Sequence, residues 1–315
     1  MKTAVLLTYT GSPESCKITD IVKYLNKFLN NKRLIRLPSL PRTLLVNGAI
    51  LPRSVFKSAK RYGKLENLYN GKFPISLYCQ SLRMELEKCL PAEIFVGMCF
   101  GNPLIENSLQ TIIEKGFSKL IIFPMFPHYT SSASGVPLEQ AMDALKQFPM
   151  IPEIVTVNSF YKNQGFIRSF AERIKEYDYG NYDEIVFSYH SLPVEHVKKW
   201  DCTYPEMCRE TTQLICKETG IDSVCETCFQ SQMSNKWLGP STKSALMRMI
   251  KDRKTKALVV APSFVMDCLE TDVEIGIELR DFFLQNGGEK LQLVRSLNDS
   301  PVWIGALRDM LEKLI

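Results

Sequence analysis

Only three histidines occur in 315 residues, His128, His190 and His196, against ten cysteines. So few imidazoles exclude a His-rich zinc or copper site, and a site with several metal ligands must lean on thiolate or carboxylate. Long hydrophobic runs are also missing. No stretch approaches the roughly 18 apolar residues of a membrane span. The N-terminal MKTAVLLTYTGSPES is too briefly apolar for a signal peptide, whose core needs roughly 7–15 residues, and reads as a buried first strand. No charge sign is in large excess: the formal net charge is +5. Lys and Arg read as scattered rather than striped, which argues against a nucleic-acid-binding face. GxGxxG, P-loop and GxSxG motifs are absent. At 45% hydrophobic and 23% charged residues, the chain is neither disordered nor of low complexity. The expectation is a cytoplasmic globular protein whose cysteines stay reduced, as small buried residues or metal ligands and not as disulfides.

Short β-branched runs alternate with amphipathic segments. The apolar runs are Ala4–Leu7, Glu93–Met98, Lys119–Phe123, Glu153–Val157, Glu184–Ser188, Ala257–Val260 and Leu291–Val294. Helical periodicity marks Pro103–Lys115, Pro137–Phe148, Gly165–Tyr177, Tyr204–Thr219, Thr242–Lys251, Glu270–Phe283 and Pro301–Leu314. Strands apolar on both faces, separated by helices, predict an α/β fold with two doubly wound parallel sheets. The break between them falls near Asn158–Gly165. The segment 33–73, with Pro38, Pro41 and Pro52 and no clear period, reads as an irregular or lid-like insert.

Ligands bind at the carboxyl ends of strands in such folds, and residues with useful chemistry follow these runs. In EIVFSYHSLPVEHV, His190 ends a strand before a Ser-Leu-Pro turn, placed to act as base or ligand at neutral pH; a loop histidine without function is the plainer reading. His196, on the next helix, and His128, in another loop, read as structural or solvated. In APSFVMDCLETDVEIGIEL, Asp267 precedes Glu270, Glu274 and Glu278, whose spacing by four draws one acidic line along a helix. Such a row suits passage of a hydrated divalent cation, although a solvated helix face has the same pattern. The loop FPMFPHYTSSASG could hold an anion at a helix start. Five cysteines, Cys202, Cys208, Cys216, Cys225 and Cys228, cluster within 27 residues. Thiolates without histidine suit zinc or an iron–sulfur cluster, while Cys208 and Cys216 could equally be the buried face of a helix.

Taken together, FSYHSLPVEHVKKWDCTYPEMCRETT, LLTYTGSPES, GMCFGNPLIENSLQ, FPMFPHYTSSASG, CFQSQMSNKWLGPST, FVMDCLETDVEIGIE and LNDSPVWIGAL resemble the ferrochelatase family, in the same order and over nearly the whole chain. The resemblance implies two Rossmann-like chelatase domains, 1–160 (with the lip segment 33–73) and 161–297, and a terminal helix 298–315 returning to the first. It implies insertion of Fe²⁺ as substrate into a porphyrin, with His190 accepting a proton or ligating iron and Glu270 opposite. Glu274 and Glu278 would bring in metal or carry protons away. Tyr9, Met98, Phe100, Tyr129 and Trp237 would contact the macrocycle, with Ser131 and Ser132 near a propionate. Many members hold a [2Fe–2S] cluster, for which four of the five clustered cysteines are the candidate ligands here.

The sequence departs from the family at Cys99, where Arg or Thr is usual, and at His128, where Gln is usual. Thr10 stands where coproporphyrin-type enzymes have Tyr, which favours protoporphyrin IX. No nucleic acid and no membrane span are expected, with peripheral membrane contact left open. The alternatives are a cobalt or sirohydrochlorin-type chelatase, and a non-catalytic haem or porphyrin carrier on the same scaffold.

Overall fold

The computed structural model describes residues 2–221 and 225–315. Among the described residues eight strands form: β1 (Thr3–Tyr9), β2 (Glu93–Met98), β3 (Lys119–Pro124), β4 (Glu153–Thr156), β5 (Glu184–His190), β6 (Glu226–Gln230), β7 (Lys256–Val260) and β8 (Lys290–Leu293). They make two four-stranded sheets, ordered β2-β1-β3-β4 and β6-β5-β7-β8. Every pairing is parallel, and both sheets carry the same strand permutation. Parallel neighbours require crossovers, and the amphipathic helices supply them, giving two Rossmann-like layered units. β1 and β5, interior strands in their sheets, are buried at nearly every position. That two-sided burial explains why they read as unbroken apolar runs.

The first unit comprises the chain up to Met125 with Thr130–Asn158 and Met310–Ile315; the second comprises Phe126–Tyr129 and Ser159–Asp309. In the first, the turns after β1 and β2 meet backbone to backbone. A Cβ on Gly11, at φ +88°, would lie 2.8 Å from the Gly101 nitrogen, and one on Gly101 would lie 2.7 Å from the Ser12 carbonyl. Only glycine fits either place. Cys99 and Phe100 donate their N–H groups to the Tyr9 and Thr10 carbonyls at 2.9 and 3.1 Å, so the ladder runs on past both strand ends.

Three expectations give way. The segment 33–73 is largely helical: Ser39–Leu45, a π-helical turn Val46–Ile50 and Leu51–Leu68. Its prolines had suggested irregularity, but Pro41 falls in a first turn, where the missing N–H has no helical partner to lose, and Pro52 directly follows the π-helical turn, where the α-helical bonding is already interrupted. The acidic segment is a π-helix, Leu269–Leu279, not a plain α-helix. Its wider turn keeps residues spaced by four close to a common line, and such helices frequently mark functional sites. The third concerns the cysteines. Cys216 and Cys225 are joined in a disulfide, contrary to the reading of all ten as reduced.

The clustered cysteines do not fit an iron–sulfur cluster. The disulfide consumes two of the five, leaving Cys202 exposed and Cys208 and Cys228 fully buried. Cys228 sits in the second unit's hydrophobic core beside Val186, Leu246 and Met249. Burial pushes its thiol up to about 12 and that of Cys208 well above the usual range. Thiols buried in this way pack as small apolar residues. Among the described residues, no three His, Cys, Asp or Glu gather as a metal-holding group.

Candidate active site

Strand β5 outruns β7. Their register ends at Phe187 opposite Val260, whereas β5 stays paired with β6 to His190 opposite Gln230. His190 is therefore the last strand residue, held on one side by a neighbouring strand and on the other by side chains. Its N–H donates to the Ser263 hydroxyl at 3.3 Å, and its carbonyl accepts from the Tyr204 hydroxyl at 2.7 Å. The ring is fixed as well, since Nδ1 lies 2.7 Å from the Ser191 carbonyl. A carbonyl only accepts, so Nδ1 carries the proton and Nε2 offers a lone pair. Phe264 packs edge-on against the ring at 6.3 Å.

Gln230 ties this strand end to the acidic helix. Its backbone carbonyl accepts from Ser191 N–H at 2.9 Å. Its side-chain carbonyl accepts from the Ser188 hydroxyl at 2.8 Å, and its amide donates to the Glu270 carbonyl, also at 2.8 Å. His190 and Glu270 are thus brought together at one end of one sheet. Glu270 is the second residue of the π-helix, whose start is capped by Cys268 N–H donating to Thr271 Oγ1 at 2.8 Å.

Glu274, one turn on, accepts from both Ser231 N–H at 2.6 Å and Ser231 hydroxyl at 2.8 Å. Ser231 is left-handed at φ +60°, a strain of about 1–3 kcal/mol offset by two charge-assisted bonds. Glu270, Glu274 and Glu278 are all half-buried. Asp267 behaves differently, being fully buried and saturated with donors from Arg295, Ser296 and Asn298.

Trp237 is half-buried in a loop that lies along the His-Ser-Leu-Pro turn. Leu238 N–H donates to the Leu192 carbonyl, and Val194 N–H to that of Lys236, each at 2.9 Å. Tyr129, also half-buried, falls in the second unit. The remaining residues singled out from the sequence lie in the first unit. Tyr9 and Met98 are paired strand ends, each 2% exposed. Phe100 is buried edge-on against Phe28, Ser131 accepts from Arg36, and Ser132 is half-buried. Sequence reasoning passed over Tyr204, Gln230, Ser231 and Ser263. All four stand inside the quoted segments, but their partners are distant in sequence, so nothing local marks their roles.

His128 is buried among Tyr161, Tyr189 and Tyr204. Thr211 donates to the Met207 carbonyl, so at 2.8 Å it accepts from His128 Nε2–H. Burial pushes the imidazole down to about 3 from 6.5. Below pH 6.5 the unfolded chain takes up a proton that the folded chain refuses, so stability falls as pH drops, by up to about 1.4 kcal/mol per pH unit. In His128→Gln, which preserves a donor to Thr211, stability between pH 7 and pH 5 should fall by about 2 kcal/mol less than in the wild type. Urea unfolding at both pH values measures this, and equal losses in the two proteins would refute it.

The sequence profile described as Ferrochelatase matches residues 2–314. The coproporphyrin III ferrochelatase of Enterococcus faecalis is 34% identical over 313 residues, covering 98% of this chain and 99% of that protein. A ferrochelatase of Legionella pneumophila is 32% identical with complete coverage of both. Among solved structures, SirB from Bacillus subtilis with Fe³⁺ aligns with a TM-score of 0.61 at 11% identity, over 99% of this chain and 95% of that one. The cobalt complex of the sirohydrochlorin chelatase SirB from Bacillus subtilis subspecies spizizenii aligns at 0.56 and 14%, over 98% and 93%. At those identities the structural likeness establishes the chelatase fold alone. The sequence matches establish more: the chain belongs to the ferrochelatase family.

Proposed function

We propose that this enzyme inserts Fe²⁺ into a porphyrin to make haem, with His190 and Glu270 as the catalytic pair. The observation that carries this reading is the fixed Nε2 lone pair of His190, linked through Gln230 to the helix that bears Glu270. Metallation exchanges water on Fe²⁺ for four pyrrole nitrogens and releases two N–H protons. A neutral imidazole with a directed lone pair accepts one proton or holds the metal on its way in. Glu270 serves the opposite face. Glu274 and Glu278, half-buried on the same helix, carry metal inward or protons out, Glu274 being held in place by Ser231.

The full-length match to ferrochelatases favours iron and a porphyrin over cobalt and sirohydrochlorin, and catalysis over carriage. Thr10 supports protoporphyrin IX as substrate; the name of the Enterococcus relative supports coproporphyrin III. Anaerobic assay of the purified protein with Fe²⁺ and each porphyrin tests both points. Haem formation is expected, fastest with protoporphyrin IX. A faster coproporphyrin III reaction assigns that substrate, and no insertion into either overturns the proposal.

Among the described residues no helix is long and apolar enough to cross a membrane. The first unit nevertheless supports peripheral contact with an anionic bilayer. Helix Ser39–Leu45 buries none of its residues; Leu40 and Leu44, on one face, are 70% and 66% exposed, and Phe56 is 70% exposed. Positions 21 to 65 contain eleven Lys and Arg and no Asp or Glu, so the basic residues are concentrated after all. Exposed leucines within a stretch of sequence that is basic and free of acids suit an anionic lipid surface. Sedimentation with vesicles rich in phosphatidylglycerol should carry the protein down, weakly with Leu40→Ser/Leu44→Ser and not with neutral vesicles. Equal binding to all vesicles, or to none, would refute the contact.

A further inference from the structure

We propose that Tyr204 and Ser263 are positioning residues for His190, standing in for a strand that β7 fails to supply; the catalytic consequence rests on the function proposed above. Beyond Phe187, β5 has no partner on the β7 side, and exposed strand groups there would need other partners. The N–H and carbonyl of one residue point to the same side of a strand, and at His190 both are met by side chains. The N–H reaches Ser263 Oγ at 3.3 Å, Ser263 Oγ lies 3.4 Å from the Tyr204 hydroxyl, and that hydroxyl donates to the His190 carbonyl at 2.7 Å. The three bonds close a ring on one residue's own peptide groups. On the opposite side, Ser191 N–H donates to the Gln230 carbonyl. Both peptide planes flanking the His190 Cα are therefore pinned, the second at each end.

That second plane matters most, because it places the Ser191 Cα, from which the next peptide carbonyl, the one that receives Nδ1–H, extends. If Tyr204 releases it, the plane can turn, and the imidazole loses the acceptor that selects its tautomer. Nε2 then presents a lone pair only part of the time. Tyr204 suits a constant role. It is 3% exposed, and burial keeps its phenol well above the usual range, so it remains a donor across the working pH range.

The test uses the ¹⁵N-labelled full chain, in which three histidines give few signals and His190→Ala identifies the one that matters. Long-range ¹H–¹⁵N spectra of the wild type should show His190 as the single Nδ1–H tautomer. Tyr204→Phe, which removes only the hydroxyl, should show an averaged tautomer, with kcat lowered about tenfold to a hundredfold and KM for porphyrin unchanged. Ser263→Ala should move both readouts the same way, and Ser263→Thr should restore them. Should Tyr204→Phe fail to fold, the serine pair decides alone. A wild-type tautomer and kcat in the variants, or a fall in activity matched by a fall in folded protein, overturns the proposal. Absence of iron insertion by the wild type would overturn the functional reading while leaving the tautomer measurement intact.

Discussion

Replacing His190 by alanine is expected to slow iron insertion by about 10²- to 10⁴-fold, the usual contribution of a positioned proton acceptor. Porphyrin binding should persist, because the ring presents a lone pair and no large apolar surface. Added imidazole should recover part of the rate, since the cavity left by the side chain adjoins the Ser191 carbonyl that orients the native ring. Anaerobic stopped-flow assay, with porphyrin affinity followed by fluorescence quenching, separates these effects. A rate within twofold of the wild type would remove His190 from the chemistry. Loss of porphyrin affinity in proportion to the rate would make it a binding residue.

The sheet positions of these residues were legible in the sequence, and their fixation was not. Seven strands announced themselves because residues such as Leu6, Ile121 and Val259 are buried on parallel strands, where both faces must be apolar. β6 escaped notice because ETCFQ is short, carries Glu226 and half-exposed Thr227, and lies in a segment whose cysteines suggested metal. His190 stood out from its place after an apolar run. The ring formed by Tyr204 and Ser263 could not, since it spans 73 positions of sequence and depends on where β7 stops. The basic stretch from 21 to 65 was visible in composition but masked by acids elsewhere, which reduce the whole chain to +5. The π-helix was hidden for another reason: three acids spaced by four fit either helix, and only the backbone bonding distinguishes them.

Asp267, which precedes the acidic row in sequence, differs from it in role, and its replacement should affect folding first. Its carboxylate is 0% exposed and accepts from Ser296 N–H at 2.9 Å, Asn298 Nδ2 at 2.7 Å and Arg295 Nη2 at 3.0 Å and Nε at 3.2 Å. Its own N–H donates to Asn298 Oδ1 at 2.9 Å. The loop that leads into the π-helix is thereby tied to residues 295–298. Asp267→Ala leaves several donors without an acceptor and removes the charge paired with Arg295. The expected cost is about 3–5 kcal/mol, eased toward the lower figure because Arg295 can turn to water. Asp267→Asn keeps the shape but aims an amide at groups that are themselves donors, so it should cost nearly as much. Urea unfolding gives the loss, and iron insertion per folded molecule should stay close to wild type. The opposite outcome, normal stability with insertion abolished, would place Asp267 on the metal's path with Glu270 and Glu274.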